Sequence, residues 1–183
     1  MTKRFVDIES PFTGGKVFEI CDVEDKKFRG ETFSVNVRYY LCEDTGEQFT
    51  TSEQDELWTS ELYNQYRAKH GIPSPEEIKS IRESYGLNYT QMSRMLGFGI
   101  NQLKNYEEGQ VPSESNGKML KIVANPFTMM NLLEISSSEF KECEYQKIKN
   151  QIALLYFDNA RMSNGSDSQT LVQRGQERLE LIR

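Results

Sequence analysis

IPSPEEIKSIRESYGLNYTQMSRMLGFGINQLKNYEEGQVPSESNGKML, running from Ile72 to Leu120, decides the fold. It reads as three short helices with sharp stops between them, then the start of a fourth. Ser74 can cap the first helix, Pro75 suits its first turn, and Glu77 completes a Ser-x-x-Glu capping box. Ile78, Ile81 and Tyr85 recur at helical spacing and should face a core, and Gly86 stops the helix. Thr90 is the natural cap of the second helix, in which Met92, Met95 and Leu96 point inward. Gly97 and Gly99 bracket a tight turn. A third helix is expected over 100–108, with Ile100, Leu103 and Tyr106 inward. Asn101, Lys104 and Asn105 then share its outward face. Two helices joined by a short Gly-containing turn, the second presenting amide and basic side chains, form a helix-turn-helix pattern. Asn can bond adenine bidentately in the major groove, and Lys can reach guanine or phosphate. Periodicity alone fits equally well a small helical bundle with a solvated polar face.

The detailed pattern separates the two readings. LNYTQMSRMLGFGINQLKNYEEGQVPS resembles the Cro/repressor (XRE) type of helix-turn-helix, most closely the version in MqsA/YgiT-type antitoxins. The resemblance rests on Thr90-Gln91 opening the second helix, the Gly-x-Gly turn, Asn101, and the Tyr106-Glu107-x-Gly109 ending. It implies DNA binding through Thr90, Gln91, Asn101, Gln102, Lys104 and Asn105. Asn101 matches the family's base-reading position. Asn105 stands where family members often carry Arg.

The chain has 183 residues, room for one large or two small domains. No apolar run is long enough for a transmembrane helix, and MTKRFVDIESPF lacks the apolar core of a signal peptide. Cys21, Cys42 and Cys143 are odd in number and widely spaced, which argues for a reducing compartment, the cytoplasm. The net charge of -6 is unusual for a DNA binder. The excess acid lies wholly in residues 1–60, with 7 Lys+Arg against 13 Asp+Glu, and the remainder is neutral. Specific binding would then need a homodimer, its two recognition helices about 34 Å apart on one DNA face.

Residues 1–58 read as β. KVFEICDV and ETFSVNVRYYL are strand-like, and in the second Phe33, Val35, Val37 and Tyr39 alternate with Ser34, Asn36 and Arg38. SPFTGG at 10–15 and CEDTGE at 42–47 are turn-like. The resemblance extends here. The family begins with a zinc-binding β domain holding two CxxC knuckles, separated by a segment like FRG and a strand. This chain keeps that layout, but the four ligand positions are Ser10, Thr13, Cys42 and Thr45. Hydroxyls are not usual zinc ligands, so no cofactor and no bound metal are expected.

Thr50 to Lys69 reads as a helix with a Leu57, Trp58, Leu62, Tyr66 core stripe, followed by a hinge in which His70 is solvated. After Gly109, a fourth helix over 114–124 carries Met119, Leu120, Ile122 and Val123 inward, and a fifth covers 126–135. An amphipathic helix over 138–157, with Phe140, Ile148, Ile152 and Leu155 on its apolar side, extends beyond the family's short members. It could pack on its own domain or make a dimer contact. A linker, RMSNGSDSQT, and a short terminal helix, LVQRGQERLELIR, close the chain. Glu76-Glu77 and Glu107-Glu108 read as solvated or capping charge. No P-loop, Rossmann fingerprint or nucleophile elbow is present, so no enzyme is expected.

The expected fold is α+β: a β-rich, zinc-ribbon-like domain without zinc, then an all-α helix-turn-helix domain with a helical extension. The boundaries fall at 1–58, 59–72 (helix and hinge), 73–135 and 136–183. The resemblance implies an antitoxin-type repressor that binds its own operator and neutralises a small basic ribonuclease toxin through its N-terminal domain. The alternatives are a regulator without a toxin partner, and an interaction module that no longer binds DNA.

Overall fold

The computed structural model describes the backbone of residues 1–162 and the side chains of residues 1–157. The proposed linker and terminal helix after Met162 lie outside the described residues. The fold is α+β, a β-rich N-terminal part followed by helices, and the chain divides into two compact units, the second starting at Pro73.

The first unit is an antiparallel meander of β1 (Thr2–Val6), β2 (Val17–Phe28), β3 (Glu31–Cys42) and β4 (Gln48–Phe49), in that spatial order. Arg29 and Gly30 join β2 to β3, both at positive φ (50° and 85°), so the twist of the turn matches that of the strands. Arg29 lays its guanidinium over the rings of Phe28 and Tyr66, 5.1 and 5.2 Å from their centroids. Along β3, Phe33, Val35 and Val37 are buried and Ser34, Asn36 and Arg38 exposed, as the alternation requires.

Helix α1 (Ser52–His70) packs on this sheet. Thr51 and Gln54 form its capping box, and Gly71 ends it in the left-handed region. It also covers the β3 edge that β4 leaves open: Glu61 accepts from the Asn36 backbone N–H, and the Gln65 amide donates to the Ser34 carbonyl. Of the expected stripe, Leu62 and Tyr66 are buried and Trp58 half-buried. Leu57 is 59% exposed, because the residues at i+1 and i+5 from it take the sheet-facing side. His70 is not a solvated hinge residue. Its Nε2 lies 2.6 Å from Glu31 Oε1 and its ring stacks on Tyr66 at 4.3 Å, joining the helix end to the start of β3. The Lys69 ammonium, then His70, holds the Glu31 carboxyl below its ordinary pKa.

The second unit holds α2 (Pro75–Ser84), α3 (Tyr89–Met95), α4 (Gln102–Glu107), α5 (Glu114–Ile122), α6 (Pro126–Ile135), a 3-10 turn (Ser137–Glu139) and α7 (Glu142–Met162). Ser74 and Glu77 form the expected capping box, and Gly86 (φ 63°) closes α2. Helix α3 is capped by Asn88 rather than Thr90: the Asn88 side chain accepts from the Gln91 N–H, and the Gln91 side chain accepts from the Asn88 N–H. Ile78, Met92, Leu103, Leu120, Met129 and Leu133 fill the centre of the core. The Tyr85 hydroxyl donates to the Val123 carbonyl at 2.8 Å, and burial pushes its pKa up to about 12.

Two expected core residues face solvent. Ile100 is 74% exposed because α4 begins only at Gln102, so Ile100 stands in the turn, outside the helical phase. Ile122 is 53% exposed, since Leu120 and Val123 take the buried side of α5 and Ile122 lies on the other. The extension also starts later than expected. Phe140 is buried from the loop before α7, while Ile148 and Ile152 carry α7 into the core of its own unit. That contact predicts a difference along one helix. Ile152→Ala should destabilise the helical unit by about 2–5 kcal/mol, whereas Leu154→Ala, at an exposed position, should stay within about 0.5 kcal/mol. Denaturant unfolding followed by far-UV circular dichroism would test it, and equal effects would detach α7 from the core.

Candidate functional site

Two groups of residues singled out in the sequence can be located. The first is the exposed side of α4. Asn101, Lys104 and Asn105 are all exposed there. The Asn101 side chain makes no capping bond, so its amide stays available. Lys104 has only a loose i,i+4 approach to Glu108 at 3.5 Å, and both side chains are more than half exposed, a pairing of little strength. Gln102 is half-buried and donates to the Gln110 side chain at 3.1 Å. Thr90 and Gln91, on α3, are half-buried. The Gln91 side chain is occupied twice, its oxygen by the capping box and its Nε2 by Glu144 Oε1 at 2.6 Å.

A helix of six residues cannot hold its own orientation. The residue that fixes α4 is Arg82, on α2. Its Nε and Nη2 donate to the two oxygens of Glu107 at 2.6 and 2.9 Å, and its Nη1 donates to the Leu87 carbonyl at 3.0 Å. Its guanidinium lies 4.4 Å from the centroid of Tyr89. The Glu107 side chain is only 4% exposed, so it is not the solvated charge expected of the Glu107-Glu108 pair. Glu107, before all else, raises the Arg82 pKa above its already high ordinary value, keeping the guanidinium charged. The sequence carried a signal for this pair: Ile78, Arg82 and Tyr85 stand at i, i+4 and i+7, which places a cation on the buried face of α2, where it needs a partner.

The second group is the pair of turns in the first unit. Val17 and Cys42 are register partners in β2 and β3, both buried. By strand alternation they lie on the opposite face from Val35 and Val37, with Tyr40 and Phe49 stacked beside them and Phe12 edge-on to Phe49. Ser10, Thr13 and Thr45 all converge on the Cys42 sulfur. Each hydroxyl also accepts the backbone N–H two residues on: Phe12 to Ser10, Gly15 to Thr13, Glu47 to Thr45. The protons of Ser10 and Thr45 are then free to go to sulfur. Thr13 has one proton and gives it to Asp44 Oδ2 at 2.7 Å, so its 3.6 Å approach to Cys42 adds least. Bonds from the Ser10 hydroxyl first, then the Thr45 hydroxyl and backbone, lower the Cys42 thiol from 9.0 to about 6.

Zinc, which the family's knuckles imply, does not fit this donor set. One sulfur and three neutral hydroxyls cannot supply a tetrahedral site of thiolates and imidazoles. Among the described residues, no group of three or more His, Cys, Asp or Glu could hold a metal ion. The Cys42 sulfur stands at the centre of these hydroxyls, whose hydrogen bonds favour its ionised form. Because folding favours the ionised sulfur, its stabilising contribution is complete above pH 9 and is lost as pH falls through about 6. The fluorescence of Trp58, the one tryptophan, reports this unit. Its melting temperature should rise from pH 6 to pH 9 in the parent and stay flatter in Cys42→Ser. Purified protein should hold well under one zinc per chain and melt alike with and without EDTA. A tightly held zinc ion whose removal unfolds the unit would overturn this account.

No described helix is long and apolar enough to cross a membrane. No curated protein matches the chain significantly. A family model described as the antitoxin component of a bacterial toxin-antitoxin system, MqsA, matches residues 13–133. That span takes in the end of the first turn from Thr13, all of the second turn, the whole of α1 and the helices α2 to α5, and it is two thirds of the chain. The chain therefore belongs to the MqsA antitoxin family.

Proposed function

We propose that this antitoxin binds DNA through α3 and α4 as a helix-turn-helix, represses its own operon as a homodimer, and neutralises a small basic ribonuclease-type toxin through its first unit. In this reading residues 73–135 form the DNA-binding domain. The observation that carries it is the exposed row of Asn101, at the N-cap, and Lys104 and Asn105, on a short helix anchored from beneath by Arg82 and Glu107. Amides there suit base edges, and the lysine suits phosphate. The net neutrality of residues 61–183 makes non-specific affinity weak and leaves discrimination to base contacts and to pairing of two copies.

Asn101→Ala should weaken binding to the chain's own promoter by about 1–3 kcal/mol without lowering the melting temperature. Lys104→Ala should weaken all sequences alike and flatten the salt dependence. Unchanged promoter affinity in Asn101→Ala, read by fluorescence titration, would reject α4 as the reading helix.

The acid excess of residues 1–60 provides the complementary surface for a basic toxin. A fragment of residues 1–72, the first compact unit, should capture the toxin encoded beside the gene, with association slowed by salt. Capture by residues 73–183 and not by 1–72 would move the toxin contact to the helical unit.

A further inference from the structure

Helix α7 does more than fill the core. Glu144, Ile148 and Gln151 stand at i, i+4 and i+7, so they share the face turned toward α2 and α3. Ile148 is buried in the core. Gln151 donates to the Ser84 carbonyl at 3.5 Å and lies against Gly86, in the turn between α2 and α3. On the same face, about two turns nearer the start of α7, Glu144 Oε1 accepts from Gln91 Nε2 at 2.6 Å. Glu144 is half-buried, so it is held in this contact and not free in solvent.

In a helix-turn-helix the first helix of the pair crosses the duplex backbone while the second enters the major groove. Gln91 belongs to the first turn of α3, where side-chain amides and backbone N–H groups commonly meet phosphate. Its oxygen is spent on the capping box, so only its NH2 group can serve an anion. That group already faces a carboxylate. We infer that the start of α7 is an intramolecular attenuator of DNA binding, in which Glu144 takes one of the two protons of the Gln91 NH2 group and sets a negative charge where the DNA backbone would approach. The inference rests on the DNA-binding reading proposed above, and it gives the extension beyond residue 136 a function besides packing. The ligand displaced is a backbone phosphate, so the effect is independent of base sequence.

Two substitutions separate charge from contact. Glu144→Gln keeps an acceptor for Gln91 and removes the charge, whereas Glu144→Ala removes both. Each would be made in the full chain and titrated against two duplexes of equal length, one from the chain's own upstream region and one of random sequence, at low and physiological salt. Both variants should bind both duplexes more tightly, by roughly threefold to tenfold at low salt and less at high salt, as expected for removing one charge near phosphates. Their melting temperatures should stay close to that of the parent, because Ile148 and Ile152 still anchor the helix. Unchanged or weaker binding in both variants would overturn the inference, as would weaker binding in Glu144→Ala with no change in Glu144→Gln, which would make Glu144 a support for α3. If the parent bound neither duplex and the variants behaved likewise, the DNA reading itself would fall. Parent binding that Asn101→Ala weakens but the Glu144 variants leave alone would remove only the attenuator.

Discussion

The guanidinium of Arg82 is the fixed point of the helical unit. It joins α2 to the last turn of α4 through both oxygens of Glu107, to the α2–α3 turn through the Leu87 carbonyl, and to the first residue of α3 through the Tyr89 ring. Helices α3 and α4 have seven and six residues, too short to persist alone in water. Burying an ion pair is costly unless its remaining hydrogen-bonding groups are satisfied. Here the fork geometry of Arg and the Leu87 carbonyl use the guanidinium on three sides, so the cost is met by contacts that also set the angle between helices. Leu103 and Tyr106 anchor the inner side of α4, and the outward direction of Asn101, Lys104 and Asn105 follows.

The first unit solves a related problem with a different ion. Two turns, around Ser10–Gly15 and Cys42–Glu47, must be kept together at one end of a small sheet. A structural zinc contributes roughly 10–16 kcal/mol in small zinc fingers, and a domain without it needs other sources of stability. One is the set of hydroxyls that take over both roles of a knuckle thiolate, accepting backbone N–H groups within their turns and closing on Cys42. The larger one is apolar: α1 buries Leu62 and Tyr66 against Ile20, Phe33, Val35 and Val37, and seals the β3 edge. The helix that the sequence reading divided between a β domain and a linker is thus continuous and belongs to the sheet's own core.

Most helices were legible because their signals are local. Ser74 with Glu77, Pro126 at a first turn, and Gly86 and Gly109 as stops need only a few neighbouring residues. The β3 alternation was legible for the same reason. What failed depended on partners distant in sequence or on phase. Asn88 outcompetes Thr90 as a cap because Gln91 can return the hydrogen bond. Ile100 looks periodic with Leu103 but precedes the helix. Glu107 and His70 were read as solvated because Arg82 is 25 residues from the one and Glu31 is 39 from the other. Glu144 lies 53 residues from Gln91, and no local pattern joins them. Of the residues expected to face DNA, the outward set on α4 follows from helical spacing. The occupation of Gln91 does not, because it is a property of the packed extension.

The two buried ions differ in one respect that bears on regulation. Arg82 is held charged by Glu107 from a pKa that already lies far above neutrality, so the arrangement of α3 and α4 does not depend on pH within the physiological range. Cys42 titrates from about 6, at the acid edge of that range, and its ionisation is coupled to the closing of the two turns. A chain built this way keeps its α3–α4 geometry constant while the turns of its first unit soften on acidification. Cys42 is fully buried, Cys21 on β2 of the same unit is half-buried, and the exposed cysteine, Cys143, lies on α7 in the other unit. In this arrangement the response of the turns to acid rests on one buried sulfur.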